Sequence, residues 1–155
     1  MKAVLQRVKY ASVAVDGKTV GECNAGLLIL LGVAKGDSEN EAESLAKKIC
    51  SLRIFQDENG KMNLSVRDIG GEALVISQFT LMANYRHGNR PDFLESAPAA
   101  EAEKLYEYFK SLMKKELSHV GEGIFGAHME VSLVNDGPVT IIMDSDVLTK
   151  KPIQT

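Results

Sequence analysis

Eight consecutive residues, Leu27 to Ala34 (LLILLGVA), carry no charged or polar side chain. A half-exposed strand alternates, so an unbroken apolar run of this length fits a strand buried on both faces. A chain of 155 residues is about the size of one domain and can hold such a strand in a genuine core without disulfide or metal staples.

The flanking pattern builds around that strand. In residues 2–9, Val4, Gln6 and Val8 alternate with Ala3, Leu5 and Arg7, which predicts an N-terminal strand. Val13 and Val15 lead into Asp16-Gly17 and then Thr19 and Val20; Asp-Gly between β-formers marks a hairpin. Ser38 and Glu41 form an S-x-x-E capping box, and Ala42, Leu45, Ala46, Ile49 and Leu52 follow at helical spacing. A second hairpin is expected from Arg53–Gln56 to Lys61–Leu64 across Asp57-Glu58-Asn59-Gly60. Ala73–Met82 reads as a strand and residues 83–97 as a polar loop. Pro98 opens a longer helix with Ala102, Leu105, Phe109, Leu112 and Met113 on its apolar face, broken by Gly121 and Gly123. Met129–Leu133 and Val139–Met143 are expected as the last two strands. Two main helices among many strands, without regular βαβα alternation, predict an α+β chain with a mixed, mostly antiparallel sheet. With no linker or repeat, one domain is expected over residues 1–148, followed by a flexible tail over 149–155.

Several function classes drop out. Cys23 and Cys50 lie far apart and match no metal or redox spacing, so a reduced, cytoplasmic protein with both thiols packed as small apolar groups is expected. No stretch reaches the roughly eighteen apolar residues that span a bilayer, and the start, with Arg7 in its middle, does not read as a signal peptide. A net charge of −3 argues against a large basic nucleic-acid surface, though not against a local patch. Phosphate-loop, dinucleotide, zinc-protease and serine-elbow signatures are absent. His87, His119 and His128 lack metal-ligand spacing and are assigned surface or structural roles; no metal and no organic cofactor is expected. Asp144 and Asp146, flanking Ser145, read as a solvated strand end.

Two stretches stand out. On a regular strand Leu74, Ile76, Gln78 and Thr80 share a face, so an amide and a hydroxyl interrupt an apolar surface beside a polar loop. Thr80 as a nucleophile needs a base, and no sequence neighbour supplies one. Ser77 falls on the opposite face, so Ser77 and Thr80 share a ligand only if the chain bends. The second stretch, Asn135-Asp136-Gly137-Pro138, interrupts β-formers with a proline that does not belong in a central strand. A plain trans turn joining two strands and a cis Gly-Pro step are both open here.

Together, Ser77-Gln78-Phe79-Thr80 (SQFT) and Asn135 to Thr140 (NDGPVT) resemble the paired signatures of the D-aminoacyl-tRNA deacylase family. MKAVLQRVKYASVAVDG, GLLILLGV, RIFQDENGKMNLS and the RPDF loop extend the likeness from Met1 to about Leu148. That resemblance implies a barrel-like, homodimeric hydrolase that cuts the ester between a D-amino acid and the 3′-terminal adenosine of tRNA. It implies a cis Gly137-Pro138 step whose carbonyl oxygens enter the partner subunit's active site and reject L-side chains, with Arg7 holding the loop. Ser77, Gln78, Phe79 and Thr80 would form the pocket floor, and Phe125 and Met129 would line an adenine pocket.

The resemblance also fits the missing acid–base machinery. A ribose ester is already activated, and a neighbouring 2′-hydroxyl can assist, so positioning and oxyanion stabilisation by the N–H groups of Phe79 and Thr80 would suffice. Glycine has no side chain to reject, so some glycyl-tRNA cleavage is expected. Phosphate contacts are sought among Lys47, Lys48, Arg86, Arg90, Lys110, Lys114, Lys115, Lys150 and Lys151. Two other readings stand beside this one: a nucleic-acid-binding module without catalysis, and an esterase using Thr80 on small D-amino acid esters.

Overall fold

The computed structural model describes residues 1–149. Its spine is β1 (Lys2–Val15). One flank of β1 pairs antiparallel with β3 (Gly26–Gly32) through residues 2–8 and then with β2 (Lys18–Cys23) through residues 11–15. The other flank pairs antiparallel with β8 (Glu130–Asp144) from Lys2 to Ala14. Asp16 and Gly17 close the β1–β2 turn with φ of 50° and 76°. Both are left-handed, as a two-residue hairpin matched to strand twist requires.

The expected first strand stops near Lys9, whereas β1 runs on to Val15. Its register against β8 shifts between Gln6 and Tyr10, which changes the phase of alternation. Leu5 faces one apolar cluster, and Val8, Ala11 and Val13 face a second. β3 separates these two clusters: Leu27, Ile29 and Leu31 lie in the first and Leu28 in the second, which is why LLILL shows no polar face.

From β3 the sheet continues in parallel to β6 (Glu72–Ser77) and β7 (Val120–Glu122). α1 (Glu39–Ser51) and the hairpin of β4 (Phe55–Gln56) and β5 (Met62–Leu64) link β3 to β6. α2 (Ala99–Glu116) links β6 to β7. Four of the six strand pairings are antiparallel. The sheet curls until its ends almost meet. A Cβ on Gly21 would lie 2.1 Å from Glu122 O, and one on Gly121 would lie 2.3 Å from Glu22 O. His119 Nε2 sits 2.8 Å from Glu22 O across the same seam. The result is an α+β fold around a nearly closed sheet.

α1 starts where the capping box predicts. Ser38 N–H donates to Glu41 Oε2 (2.8 Å) and Asn40 N–H donates to Ser38 Oγ (3.3 Å). Ala42, Leu45, Ala46, Ile49 and Cys50 pack onto the sheet, opposite Leu105, Tyr106, Phe109 and Met113 of α2. α2 ends at Glu116, before the glycines expected to break it; Gly121 instead lies within β7. Both cysteines are buried free thiols, and burial pushes each up to about 11.

Two strand boundaries differ from expectation. The strand Ala73–Met82 ends at Ser77, and a 3-10 turn takes over at Phe79–Met82. The two C-terminal strands are one, β8, because both halves pair with β1. Ser145 is fully buried and accepts a hydrogen bond from the Met1 ammonium (2.6 Å). A short α3 (Asp146–Thr149) follows and contains Thr149; the rest of the expected tail, 150–155, lies outside the described residues, as do Lys150 and Lys151. Among the described residues no helix is long and apolar enough to cross a membrane.

Candidate active site

β3, β6 and β7 run parallel, so their carboxyl ends gather at one end of the sheet. A cleft of about 510 Å³ opens there, between those ends, α2 and the start of β8. It brings together Ser77, Gln78 and Phe79 with Phe125 and Met129, which are some fifty residues away in the chain. Among the described residues, no group of His, Cys, Asp and Glu is arranged to hold a metal ion.

The floor is made by the end of β6. Gln78 N–H donates to Leu31 O (2.8 Å), a last ladder bond, and the chain then turns at Gln78 (φ −145°, ψ 80°) into the 3-10 turn. This is the bend that regular alternation cannot supply. The N–H groups of Phe79 and Thr80 open that turn, where no intrahelical acceptor exists for them. Phe79 is 56% exposed and meets Phe93 edge-on at 5.1 Å. Thr80 is exposed and is not among the cleft-lining residues. Its hydroxyl accepts a hydrogen bond from the Gln78 amide, and among the described residues no ionisable side chain bonds to it.

The opposite wall is the turn from Ile124 to Ala127. Ala127 N–H donates to Ile124 O (3.1 Å), and Gly126 has φ +79°, the left-handed geometry of the third turn position. The turn leaves Phe125 6.0 Å from Tyr106, centroid to centroid. Met129 folds back against Gly123; a Cβ there would lie 2.5 Å from Met129 Sδ. Tyr106 also lines the cleft and donates its hydroxyl to Val75 O (2.8 Å). Burial pushes its phenol well above the usual tyrosine range, so it acts as a protonated structural donor. Behind it Lys110 is buried, 4.5 Å over the Tyr106 ring, and paired with Glu107 (2.8 Å) and Glu122 (3.1 Å). Lys114 pairs with Glu122 as well (2.9 Å). These two lysines therefore serve α2 and β7 internally. The walls contributed by Tyr106 and His128 carried no sequence signal pointing to the cleft: their place there arises from long-range packing.

The NDGP stretch sits elsewhere on the chain. Gln6 pairs with Thr140 and Val8 with Asn135, so the four residues Asp136–Val139 bulge opposite Arg7 alone. Gly137-Pro138 is cis. The base of the bulge is tied by Asn135, whose Oδ1 accepts Val139 N–H (2.8 Å) and whose Nδ2 donates to Val139 O (3.2 Å). Buried Arg7 holds it from below: Nε donates to Asp136 O (2.8 Å) and Nη1 to Ile54 O (2.8 Å). Gly137 is required by close approach, since a Cβ there would lie 2.3 Å from Val139 N. Arg7, Gly137 and Pro138 do not line the cleft of their own chain. The chain thus carries a cleft and, separately, a braced bulge.

A family model described as D-Tyr-tRNA(Tyr) deacylase matches residues 4–144. A protein of Thermosipho africanus named D-aminoacyl-tRNA deacylase is 59% identical over 145 residues, covering 94% of this chain and 97% of that one. One of the same name from Ruegeria pomeroyi is 57% identical, covering 93% and 99%. Among solved structures, a c-Myc DNA Unwinding Element Binding Protein is 42% identical with a TM-score of 0.88, covering 93% of this chain and 98% of that one. A probable eukaryotic D-amino acid tRNA deacylase shares the fold at 14% identity and a TM-score of 0.77, covering 92% and 97%.

Proposed function

Because this chain belongs to the D-Tyr-tRNA(Tyr) deacylase family, a family of enzymes, we propose that it hydrolyses the ester joining a D-amino acid to the 3′-terminal adenosine of tRNA. The products are the free D-amino acid and intact tRNA. The adenosine occupies the cleft between Phe125, Met129 and the end of β6. The aminoacyl carbonyl lies over the SQFT turn, where the N–H groups of Phe79 and Thr80 hold the developing oxyanion. The 2′-hydroxyl of the ribose assists attack by water, and Ser77, Gln78 and Thr80 position the substrate.

The observation that carries this reading is the SQFT turn itself. Its first N–H groups have no helical acceptor, and the Thr80 hydroxyl receives the Gln78 amide, with no base bonded to it among the described residues. Such a floor suits an activated ester better than an amide.

Handedness is gauged by the Gly137 and Pro138 carbonyl oxygens of a second copy of this chain, entering the cleft as the wall an L-side chain would strike. Two features support a homodimer. The braced bulge lies outside its own cleft. The outer edge of β8 is also unpaired among the described residues, with Ile142 78% exposed along it, and a long free edge calls for cover. Glycine escapes this gauge, so glycyl-tRNA is cleaved too. The protein acts in the cytoplasm, without metal or organic cofactor, as one domain over residues 1–148.

The test compares D-tyrosyl-tRNA with the methyl ester of D-tyrosine. Turnover of the first and not the second supports RNA-assisted chemistry. Equal turnover of both, abolished by Thr80→Ala, would replace it with a threonine esterase. A DNA-binding reading is favoured by the description of the 42% identical structure; tight duplex binding with D-tyrosyl-tRNA left intact would establish that alternative.

A further inference from the structure

We propose that the loop from Asn84 to Asp92 is the docking surface for the single-stranded acceptor end of the tRNA, upstream of the terminal adenosine. This inference rests on the deacylase reading above. An adenosine held in the cleft must send its 5′ neighbours across the cleft rim, and this loop is tied to the rim at both ends. It begins two residues after the 3-10 turn that carries Phe79, and its return limb carries Phe93, packed edge-on against Phe79.

The loop is held in shape from within. Asn84 and Asp92 exchange main-chain hydrogen bonds of 2.8 and 2.9 Å. Asn84 Oδ1 accepts Arg86 N–H (3.1 Å) and Asp92 Oδ1 accepts Leu94 N–H (3.2 Å). What the closed loop presents is chemically specific. Tyr85 is 79% exposed. Arg86 and Arg90 are exposed and, among the described residues, neither guanidinium has an ion-pair or hydrogen-bond partner. Arg7, Arg67, Lys110 and Lys114 are all paired internally. On a chain of net charge −3, two free guanidinium groups beside an exposed aromatic ring form a local site for unstacked bases and phosphates. A shallow hollow on the loop's flank is lined by Lys2, Met82, Tyr85 and Arg86, with Glu95 on its acidic side. The phosphates therefore follow the arginines and Lys2.

The experiment measures kcat/KM for D-tyrosyl-tRNA and for D-tyrosyl-adenosine, which lacks the upstream nucleotides, across a salt series. Wild type is compared with Tyr85→Ala, with the double variant Arg86→Gln/Arg90→Gln, and with Lys61→Ala on the β4–β5 hairpin. Tyr85→Ala is expected to lose on the order of 5- to 150-fold on the tRNA, the range for one base–aromatic stack. The double variant is expected to flatten the slope of log(kcat/KM) against log salt by about 1.4, roughly 0.7 for each phosphate contact on a single strand. Both should cleave D-tyrosyl-adenosine like wild type, which also shows that they are folded. Unchanged activity on the tRNA, equal losses on both substrates, or an equal loss in Lys61→Ala would each overturn the proposal. Wild type that cleaves neither substrate would overturn the deacylase reading, and this inference with it.

Discussion

At the scale of single residues, the proposed function needs side chains that brace and leaves the chemistry to main chain and RNA. Arg7 is the clearest brace, because its guanidinium satisfies the carbonyls of Asp136 and Ile54 from a buried position. Arg7→Ala should cost about 3 kcal/mol or more in urea unfolding, from two charge-assisted bonds worth roughly 1.5–3 kcal/mol each. Arg7→Lys should recover little of it, since an ammonium cannot span both acceptors. Thr80→Ala should lower kcat by no more than about tenfold, against the roughly 10²–10³ typical of losing an oxyanion donor. Loss of all turnover in folded Thr80→Ala would make the hydroxyl a nucleophile. The SQFT and NDGP stretches stood out in the sequence because they break local rules, a polar interruption of an apolar face and a proline inside β-formers, whereas Arg7 was expected only through the family resemblance. Tyr106 and His128 break none, so nothing local marked them as cleft residues.

At the scale of elements, the cleft walls depend on how α2 is pinned to β7. Glu122 receives Lys114 and Lys110, and the Lys114 bond, followed by that of Lys110, holds its carboxyl below its ordinary value of 4.5. A carboxyl lowered on folding stabilises fully above that ordinary value, and the contribution disappears as pH falls through the folded value. The Tm advantage of wild type over Glu122→Gln should therefore be largest near neutrality and shrink below about pH 4.5; a gap that widens in acid would contradict the pin. Ser38→Ala should cost about 1 kcal/mol in chemical denaturation, as loss of an N-cap does. That cap, the Asp16-Gly17 turn and the central apolar strand were readable because each is decided within a few residues. The end of β6 and the unity of β8 were not. Ser77 stops the strand where the ladder to Leu31 ends, and β8 is continuous only because β1 pairs with both of its halves.

At the scale of the whole molecule, the curled sheet divides the interior into two apolar clusters and ends in a seam of facing glycines. Gly121→Ala would push a methyl group onto Glu22 O and should destabilise the fold by about 1–3 kcal/mol, as overpacking does, without altering any cleft residue. Cys23 and Cys50, pushed up to about 11 by burial, should resist thiol reagents at pH 8 until the chain unfolds. Neither the sheet closure nor the distance between bulge and cleft can be seen in the sequence, because both depend on which strands meet. The bulge lies outside the cleft of its own chain, and the proposed function has a second copy of the chain supply it as the wall that gauges handedness. The most direct test is the ratio of D- to L-tyrosyl-tRNA hydrolysis, measured for wild type beside folded Gly137→Ala. The account predicts that wild type releases D-tyrosine and leaves the L-ester intact, and that a methyl group forced against Val139 narrows the ratio. Comparable cleavage of both esters by wild type, or an undiminished ratio in the variant, would contradict it.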